Sequence, residues 1–274
     1  MFQDIPEKVG IDFDSREIDR DDFVLAYKDR TVLCRFDGDS RIIFPCIEDF
    51  KEKPETIFAF SADGKRYFLS LSDNSEIENF GYEDINLLKN SYMDTNLYAG
   101  ITGFHYYAFH AENKFCGKCG GKLVHDPKKR CMLCTRCKNE IFPKISPAVI
   151  VGIIDDETDS IVLTKYAQGK YRKYALVAGF AEMGESIEDA ARREVMEETG
   201  LEITDLKYYK SQPWGFAQNL LFGFLAKVKN SREIHMDEEE LSEALWVKRK
   251  DISAQPDSLS LTNEMMWKFK NGEV

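Results

Sequence analysis

The residues of this sequence best suited to chemistry are three glutamates, Glu194, Glu197 and Glu198, which stand within five consecutive positions. At about 100° per residue they would fall within an arc of about 100° on a helix. Carboxylates this close repel one another unless cations neutralise them. Hard divalent ions such as Mg²⁺ or Mn²⁺ prefer oxygen ligands and bridge to phosphate oxygens. The cluster therefore indicates a metal site that handles phosphates, with a solvated acidic helix face as the alternative.

The segment Gly179–Leu201 contains the helix that would position these glutamates. Ser186, with Asp189 three residues later, predicts an N-cap, and Gly200 predicts the end of the helix. An apolar stripe borders the acidic arc and consists of Ile187, Ala191 and Val195. We therefore expect the glutamates at the edge of a buried face, as in the wall of a cleft.

Residues at fixed distances from the glutamates complete a longer pattern, namely Gly179, Glu185, Arg193 and Gly200. The complete pattern resembles the Nudix box, the signature of hydrolases that cleave a nucleoside diphosphate linked to another group. The resemblance implies the catalytic residues Glu194, Glu197, Glu198 and Arg193, and the metal ligands Ala178 (through its carbonyl), Glu194, Glu198 and Glu240. Glu197 is expected to share ligation or to act on the attacking water, and Arg193 to pair with a carboxylate. The neighbouring Glu238 and Glu239 leave the register of Glu240 open.

Four cysteines form a second set with metal chemistry, because Cys116 and Cys119 are followed, after fourteen residues, by Cys134 and Cys137. Two such pairs suit tetrahedral Zn²⁺, and four protein ligands leave no open position, so the zinc should be structural. Cys131 and His125 lie between the pairs as possible substitute ligands, with Cys131 the odd one out. The basic triplet Lys128–Arg130 leaves nucleic-acid binding by this ribbon open.

A third stretch, Ser211–Leu220, follows the acidic helix and reads SQPWGFAQNL. It is similar to the SQPWPFPxS array of the NADH pyrophosphatases, a Nudix branch with a zinc ribbon between an N-terminal and a catalytic domain. Gly215 and Ala217 replace prolines of the array and Asn219 replaces its serine, so we expect a looser loop. The resemblance implies the substrate-binding residues Phe142, Phe180, Gln212, Pro213, Trp214, Gly215, Phe216, Ala217, Gln218 and Asn219. Lys129 and Arg130 also depart from relatives, which carry an acidic and an aromatic residue there.

By this resemblance the chain hydrolyses the diphosphate of NADH or NAD⁺ to nicotinamide mononucleotide and AMP, using Mg²⁺ or Mn²⁺. Three alternatives stay open: action mainly on NAD-capped RNA 5′ ends, action on ADP-ribose or another dinucleotide, and a zinc-ribbon binding module with an inactive Nudix domain. The resemblance also implies a homodimer.

The composition limits the partners of the protein. A formal net charge of −11 disfavours broad, sequence-independent binding to nucleic acid, although it leaves room for a local basic cleft. No apolar run approaches the roughly 20 residues of a membrane-spanning helix, so no membrane partner is expected. The N-terminus lacks the basic start and apolar block of a secretory signal, and we therefore expect a cytoplasmic protein.

The remaining pattern predicts an α+β fold with three domains: a β-rich N-terminal domain (1–112), the zinc ribbon (113–143), and a Nudix domain (144–274) built as an α/β/α sandwich with a mixed sheet. Short strands are expected between Phe23 and Asp73, and helices over Tyr82–Lys89 and Ser91–Asn113. The predicted strands of the last domain are Ala148–Ile154, Ser160–Lys165, Tyr174–Val177, Leu206–Ser211, Leu220–Val228 and Leu241–Val247, followed by a helix over Leu261–Lys270.

Overall fold

The computed structural model describes residues 1–13, 17–72, 77–168, 173–253 and 259–274. The chain divides into two compact units. The C-terminal unit comprises Ser146–Pro213 and Asn219–Val274 with Met1, and the N-terminal unit comprises Phe2–Ile145 and Trp214–Gln218. Within the described residues, no helix has the length and apolarity needed to cross a membrane.

The N-terminal unit begins with short strands and one long helix. Its strands are β1 (Val9–Gly10), β2 (Phe23–Leu25), β3 (Tyr27–Lys28), β4 (Thr31–Phe36), β5 (Ile42–Ile43), β6 (Thr56–Ala62), β7 (Lys65–Ser70) and β8 (Gly81–Asp84), and the helix is α1 (Thr95–Glu112). One sheet has the order β1-β6-β7-β2, and the other has the order β3-β4-β5 with β8 also paired to β4. The Asp94 carboxylate caps α1 by accepting hydrogen bonds from the amides of Asn96 and Leu97.

The same unit contains a small three-stranded ribbon, with β9 (Leu123–His125), β10 (Met132–Cys134) and β11 (Glu140–Ile141) in the order β11-β10-β9. Its apolar interior is too small for an ordinary core and packs Leu123 and Met132 against Phe109 of α1. A segment of this size needs a metal or disulfides to hold its fold.

The C-terminal unit is a six-stranded mixed sheet between two helices. Its elements are β12 (Ser146–Asp155), β13 (Ser160–Tyr166), β14 (Val177–Phe180), α2 (Ile187–Thr199), β15 (Ile203–Trp214), β16 (Asn219–Val228), β17 (Leu241–Lys248) and α3 (Leu261–Lys270). The strand order is β15-β16-β12-β13-β17, with β14 also paired to β12. The β12–β16 pair is parallel, and β12 pairs with β13 and β14 in antiparallel fashion.

The alternation of β12 explains this layering. Val149 and Val151 belong to the core beneath α2, whereas Ile150 and Ile154 belong to the core beneath α3. Because successive side chains of a strand point to opposite faces, an unbroken apolar run requires cover on both faces. The expected α+β class and the sandwich with a mixed sheet are confirmed.

Two predicted elements are wrong in type or position. The predicted helix Tyr82–Lys89 is strand β8 followed by a 3₁₀ helix over Ile85–Asn90, because pairing with β4 captures the first residues. The predicted strand Tyr174–Val177 is displaced to Val177–Phe180, since the pairing with β12 runs from Val177 to Phe180. Long-range pairing decides both cases, and local propensity does not report it.

Candidate active site and zinc centre

Helix α2 carries the clustered glutamates and has the ends that the sequence predicts. The hydroxyl of Ser186 accepts a hydrogen bond of 3.1 Å from the amide of Asp189, and Gly200 closes the helix in the left-handed conformation with φ of 67°. Ala191 and Val195 are completely buried against the sheet. The acidic arc consequently lies at the margin of a buried face.

Gly179 makes room for the carboxylate of Glu194. A Cβ atom at residue 179 would lie 2.0 Å from Cδ and 2.1 Å from Oε2 of Glu194. Glu194 is only 8% exposed, and burial is the main cause that raises the pKa of its carboxyl group. The absence of a side chain at Gly179 therefore leaves the space that the Glu194 carboxylate occupies.

Glu198 is the most deeply buried carboxylate of the cluster, with 3% exposure. Its Oε1 accepts a hydrogen bond of 3.3 Å from the amide of Ala178, whereas its buried Oε2 has no hydrogen-bond donor among the described residues. Burial raises the pKa of this carboxyl to about 8 against the lowering effect of the Ala178 amide, and the charges of Glu194, Glu240 and Asp237 raise it further.

Arg193 joins the acidic helix to the loop that precedes it. Its guanidinium donates to both oxygens of Glu185, to Oε1 of Glu194 at 2.7 Å and to Oε2 of Glu197 at 2.8 Å, and also to the Phe180 carbonyl at 2.8 Å. These carboxylates raise the pKa of Arg193 well above its usual range. The expected pairing with a carboxylate is therefore present, and these charge-assisted hydrogen bonds fix the position of the Glu194 carboxylate.

The structure brings two acidic residues from the segment before β17 to this cluster. The negative charge of Glu240 raises the pKa of both Glu194 and Glu198, which supports this residue of the acidic run as a neighbour of the cluster. The main chain fixes this segment, because the amide of Ala167 donates to the Glu240 carbonyl at 2.9 Å.

Asp237 is a member of the cluster that the sequence interpretation missed. Its amide donates to the Glu198 carbonyl at 3.1 Å, and its charge raises the pKa of the Glu198 carboxyl. Its position three residues before Glu240 was the available signal, but within the acidic run 237–240 it could not be told from a solvated charge.

The donor set fits a hard divalent cation. The charges of carboxylates on α2 and in the segment before β17 act on Glu198, and its Oε2 atom is a buried acceptor for which the described residues supply no donor. Holding such an oxygen in its anionic form is costly, and a bound cation removes that cost. The cluster can therefore hold a divalent ion against a phosphate group.

The four predicted zinc ligands converge. The Sγ atoms of Cys116, Cys119, Cys134 and Cys137 all lie within 4.8 Å of one another. The Cys116–Cys137 and Cys119–Cys134 sulfur pairs are 3.7 and 3.5 Å apart, close to the edge of about 3.8 Å that a tetrahedron with Zn–S bonds of about 2.3 Å requires. Hydrogen bonds from backbone amides lower the pKa of the Cys134 thiol to about 6. Cys131 is buried and stands outside this set.

Gln212 is a correction to the predicted substrate platform. Its side chain has no exposed surface, its Nε2 donates to the Leu259 carbonyl at 2.8 Å, and its Oε1 accepts from the Leu261 amide at 2.8 Å. The amide thus fastens the segment that leads into α3, and complete burial leaves no surface for a ligand. The sequence shows only a glutamine beside aromatic residues and does not indicate that its side chain is buried.

The aromatic pair of the array packs within the N-terminal unit. The rings of Trp214 and Phe216 are 5.0 Å apart and inclined at 57°, and Phe216 is only 5% exposed. Gly215 lies against α1, where a Cβ atom would be 2.3 Å from the Ile101 carbonyl oxygen. Gly215, which replaces a proline of the array, therefore allows its backbone to lie close to the backbone of α1.

The other predicted substrate residues are distributed between the two units. In the C-terminal unit Phe180 is 55% exposed, Pro213 is exposed, and the buried Oδ1 of Asn219 has no hydrogen-bond partner among the described residues. In the N-terminal unit Phe142 is 53% exposed, Ala217 is exposed, and Gln218 donates to Glu112 at 2.9 Å.

Comparisons with known proteins agree with this arrangement. The NUDIX domain model matches residues 144–266, and the NADH pyrophosphatase zinc ribbon domain model matches residues 111–142. The NAD-capped RNA hydrolase NudC of Escherichia coli O1:K1 / APEC and that of Escherichia coli strain SMS-3-5 are each 39% identical over 148 residues, which is 54% of this chain and 56% of theirs.

The chain thus spans about half the length of the curated relatives it matches. Among solved structures, a NUDIX hydrolase from Nitrosomonas europaea is 22% identical, with a TM-score of 0.49 over 58% of this chain and 92% of its own.

Proposed function

We propose that this chain, which belongs to the Nudix family and carries an NADH pyrophosphatase zinc ribbon domain, hydrolyses the diphosphate of NADH and NAD⁺ to nicotinamide mononucleotide and AMP. The same chemistry extends to the NAD cap of RNA, which the printed name of its 39%-identical relatives supports. The observation that carries the proposal is the buried Oε2 of Glu198, which has no donor among the described residues and lies under the influence of the charges of Glu194, Glu240 and Asp237.

Each acidic residue has a separate task in this mechanism. Glu194, Glu198 and Glu240 would hold Mg²⁺ or Mn²⁺, and we assign the carbonyl of Ala178 to the same set. A bound ion would neutralise the diphosphate and polarise phosphorus for attack. Arg193 holds the Glu194 carboxylate in place. We assign Glu197, whose side chain is 58% exposed, to orienting the attacking water.

The substrate groups and the assembly complete the proposal. Phe180 and Trp214 are each a candidate for stacking on the nicotinamide ring, because a partly exposed aromatic face suits a flat heterocycle. We propose a homodimer, which sedimentation of the purified protein would test. We place the protein in the cytoplasm, because four thiolates that bind zinc need a reducing compartment.

The decisive experiment measures AMP released from NADH, NAD⁺ and ADP-ribose, and nicotinamide mononucleotide and 5′-monophosphate RNA formed from NAD-capped RNA, each with Mg²⁺ or Mn²⁺. We expect Glu198→Gln to lower kcat for NADH at least about 100-fold, since removing a metal-held charge removes transition-state stabilisation. Glu188→Gln changes an exposed residue of the same helix and should leave kcat within about twofold.

Each outcome has a clear meaning. Release of AMP from ADP-ribose alone would replace the proposed substrate with that dinucleotide. If every compound stayed intact in a zinc-loaded sample, the ribbon would be the functional module and the enzymatic proposal would fail. Equal loss in Glu188→Gln would trace the effect to the fold of the helix rather than to the metal site.

A further inference from the structure

The zinc ribbon carries a charge opposite to that of the rest of the chain. Residues 113–145 contain nine Lys and Arg residues against two carboxylates, a net charge of +7. The remaining residues of this −11 chain therefore carry −18. So sharp a separation is not needed for zinc binding, which uses the four thiolates alone. It marks the ribbon as a surface for an anionic partner.

Two of the three cations in the basic triplet are already engaged within the N-terminal unit. Lys129 pairs with Glu140. Arg130 donates to the Ile11 carbonyl at 2.6 Å and to the Ala59 carbonyl at 2.7 Å, with its guanidinium 5.1 Å from the ring centroid of Tyr106. These two side chains are therefore less available to a partner than the exposed cations elsewhere on the ribbon.

A second group of cations lies on segments of the ribbon that pair next to an exposed aromatic ring. Phe115 is 70% exposed and forms a bridge pair with Lys122, so the two side chains are cross-strand neighbours. The Lys122 carbonyl accepts hydrogen bonds from the amide and hydroxyl of Thr135, at 3.0 and 2.9 Å. These bonds bring the segment with Arg136 and Lys138 alongside Lys122. We call Phe115, Lys122, Arg136 and Lys138 the ribbon patch.

Contacts around the zinc centre fix the ribbon patch. Arg136 donates to the Cys119 carbonyl at 3.3 Å, and Lys138 donates to the Thr135 carbonyl at 3.3 Å. A Cβ atom at Gly121 would lie 2.8 Å from the Cβ of Arg136, so this glycine permits the close approach. All members of the patch are exposed. The two ribbon carboxylates leave its charge unbalanced, since Glu140 pairs with Lys129 and Asp126 accepts from the Lys128 amide.

We propose that the ribbon patch binds single-stranded RNA. Three cations beside one exposed phenyl ring match a strand that offers phosphates and unstacked bases, and base stacking on an aromatic ring tolerates any sequence. Double-stranded RNA is recognised by shape across about 16 base pairs, a far longer surface than this patch. An acidic protein, including the −18 part of a second copy, would use the cations but has no flat base for Phe115.

This inference rests on the proposed function for its purpose, because the body of an NAD-capped transcript is the strand to be held. The binding itself is independent of hydrolysis, as no member of the ribbon patch belongs to the metal cluster. Its failure and the failure of the proposed function are therefore measured separately: the first by RNA binding, the second by hydrolysis of NADH.

The test is fluorescence anisotropy of the zinc-loaded full chain with a labelled, uncapped single-stranded RNA of about 20 nucleotides over a range of salt concentrations. We expect the triple variant Lys122→Gln, Arg136→Gln and Lys138→Gln to weaken binding at least tenfold at low salt. The slope of log K against log salt should fall by about 2, because each phosphate contact contributes about 0.7 for single strands. Phe115→Leu should weaken binding about tenfold by loss of stacking.

A matched control removes the same charge elsewhere in the same unit. Lys8, Lys51 and Lys53 are exposed, and their simultaneous replacement by Gln should change the affinity less than threefold. The pair Lys122→Gln and Lys138→Gln leaves Arg136 beside the zinc centre and guards against loss of the ribbon. Zinc content and NADH hydrolysis should stay at wild-type levels in every ribbon variant.

Three results would overturn the proposal. One is equal affinity of the triple variant and the wild type. Another is an equal loss in the control variant, which would reduce the effect to general charge. The third is unchanged RNA binding together with a salt-dependent shift in the sedimentation of the triple variant, which would assign the ribbon patch to a second copy of the chain.

Discussion

At the scale of single residues, the need for glycine at position 179 comes from the nearby Glu194 carboxylate rather than from a backbone turn. Gly179 lies in strand β14, and the space where its Cβ would stand is filled by the end of the Glu194 side chain. Such a contact involves a movable group, so a larger residue displaces the glutamate at little cost to the fold. The glycine therefore preserves the position of Glu194, the proposed metal ligand.

Gly179→Ala should lower kcat for NADH by about 100-fold while the unfolding midpoint changes by only a few degrees. The displaced Glu194 carboxylate would lose its hydrogen bond to Arg193 but would remain at the edge of the helix. Steady-state kinetics and thermal unfolding in the same buffer measure both quantities.

A double-mutant cycle with Glu194→Ala separates this explanation from general strain. If Gly179 acts through Glu194, the double variant should be no slower than Glu194→Ala alone. Independent, multiplicative losses would show that residue 179 contributes by another route.

At the scale of secondary structure elements, the altered array residue Gly215 is tied to helix α1. The sequence suggests that losing the proline loosens the loop, but the structure places the Gly215 backbone against the Ile101 carbonyl within the N-terminal unit. A backbone oxygen cannot move aside as the end of a side chain can. Glycine in place of proline at position 215 therefore permits close packing against α1, in addition to removing the proline's constraint on the loop.

Gly215→Ala should lower the free energy of unfolding by about 1–3 kcal/mol, the usual cost of forcing an extra carbon into a packed contact. Urea unfolding followed by circular dichroism measures this loss. Gly38→Ala is the control, because a Cβ atom at that exposed position has no neighbour within 4 Å. A loss below 0.5 kcal/mol for Gly215→Ala would show that α1 shifts without cost.

At the scale of the whole molecule, the ribbon and the C-terminal unit differ in how much their folds depend on zinc. The ribbon has a small apolar interior around its thiols, whereas the C-terminal unit has two full cores on either side of its sheet. Loss of zinc should therefore unfold the ribbon and leave the sheet of the C-terminal unit folded.

Cys134→Ser should abolish stoichiometric zinc and remove hydrogen-exchange protection from β9, β10 and β11. Protection in β12 and β13 should persist, because their core contains no metal. Cys131→Ser, outside the four-thiol set, should keep one zinc per chain by elemental analysis. Zinc loss in Cys131→Ser, or its retention in Cys134→Ser, would contradict the assigned ligands.

Short stretches of sequence were enough to predict the features that depend on local spacing. The acidic helix from its N-cap to Gly200, the two cysteine pairs, helix α1 and the helix Leu261–Lys270 were all predictable for this reason. The resemblance to the Nudix hydrolases with an NADH pyrophosphatase zinc ribbon is confirmed by the domain models that match residues 144–266 and 111–142.

Which distant residues lie close together depends on the tertiary fold. The fold brings the charges of Glu240 and Asp237 to bear on Glu198 and buries Gln212 completely. It also engages Arg130 in holding the ribbon to the strands of its own unit. Strand pairing and burial bring together residues far apart in the chain, and a local pattern carries no record of these contacts.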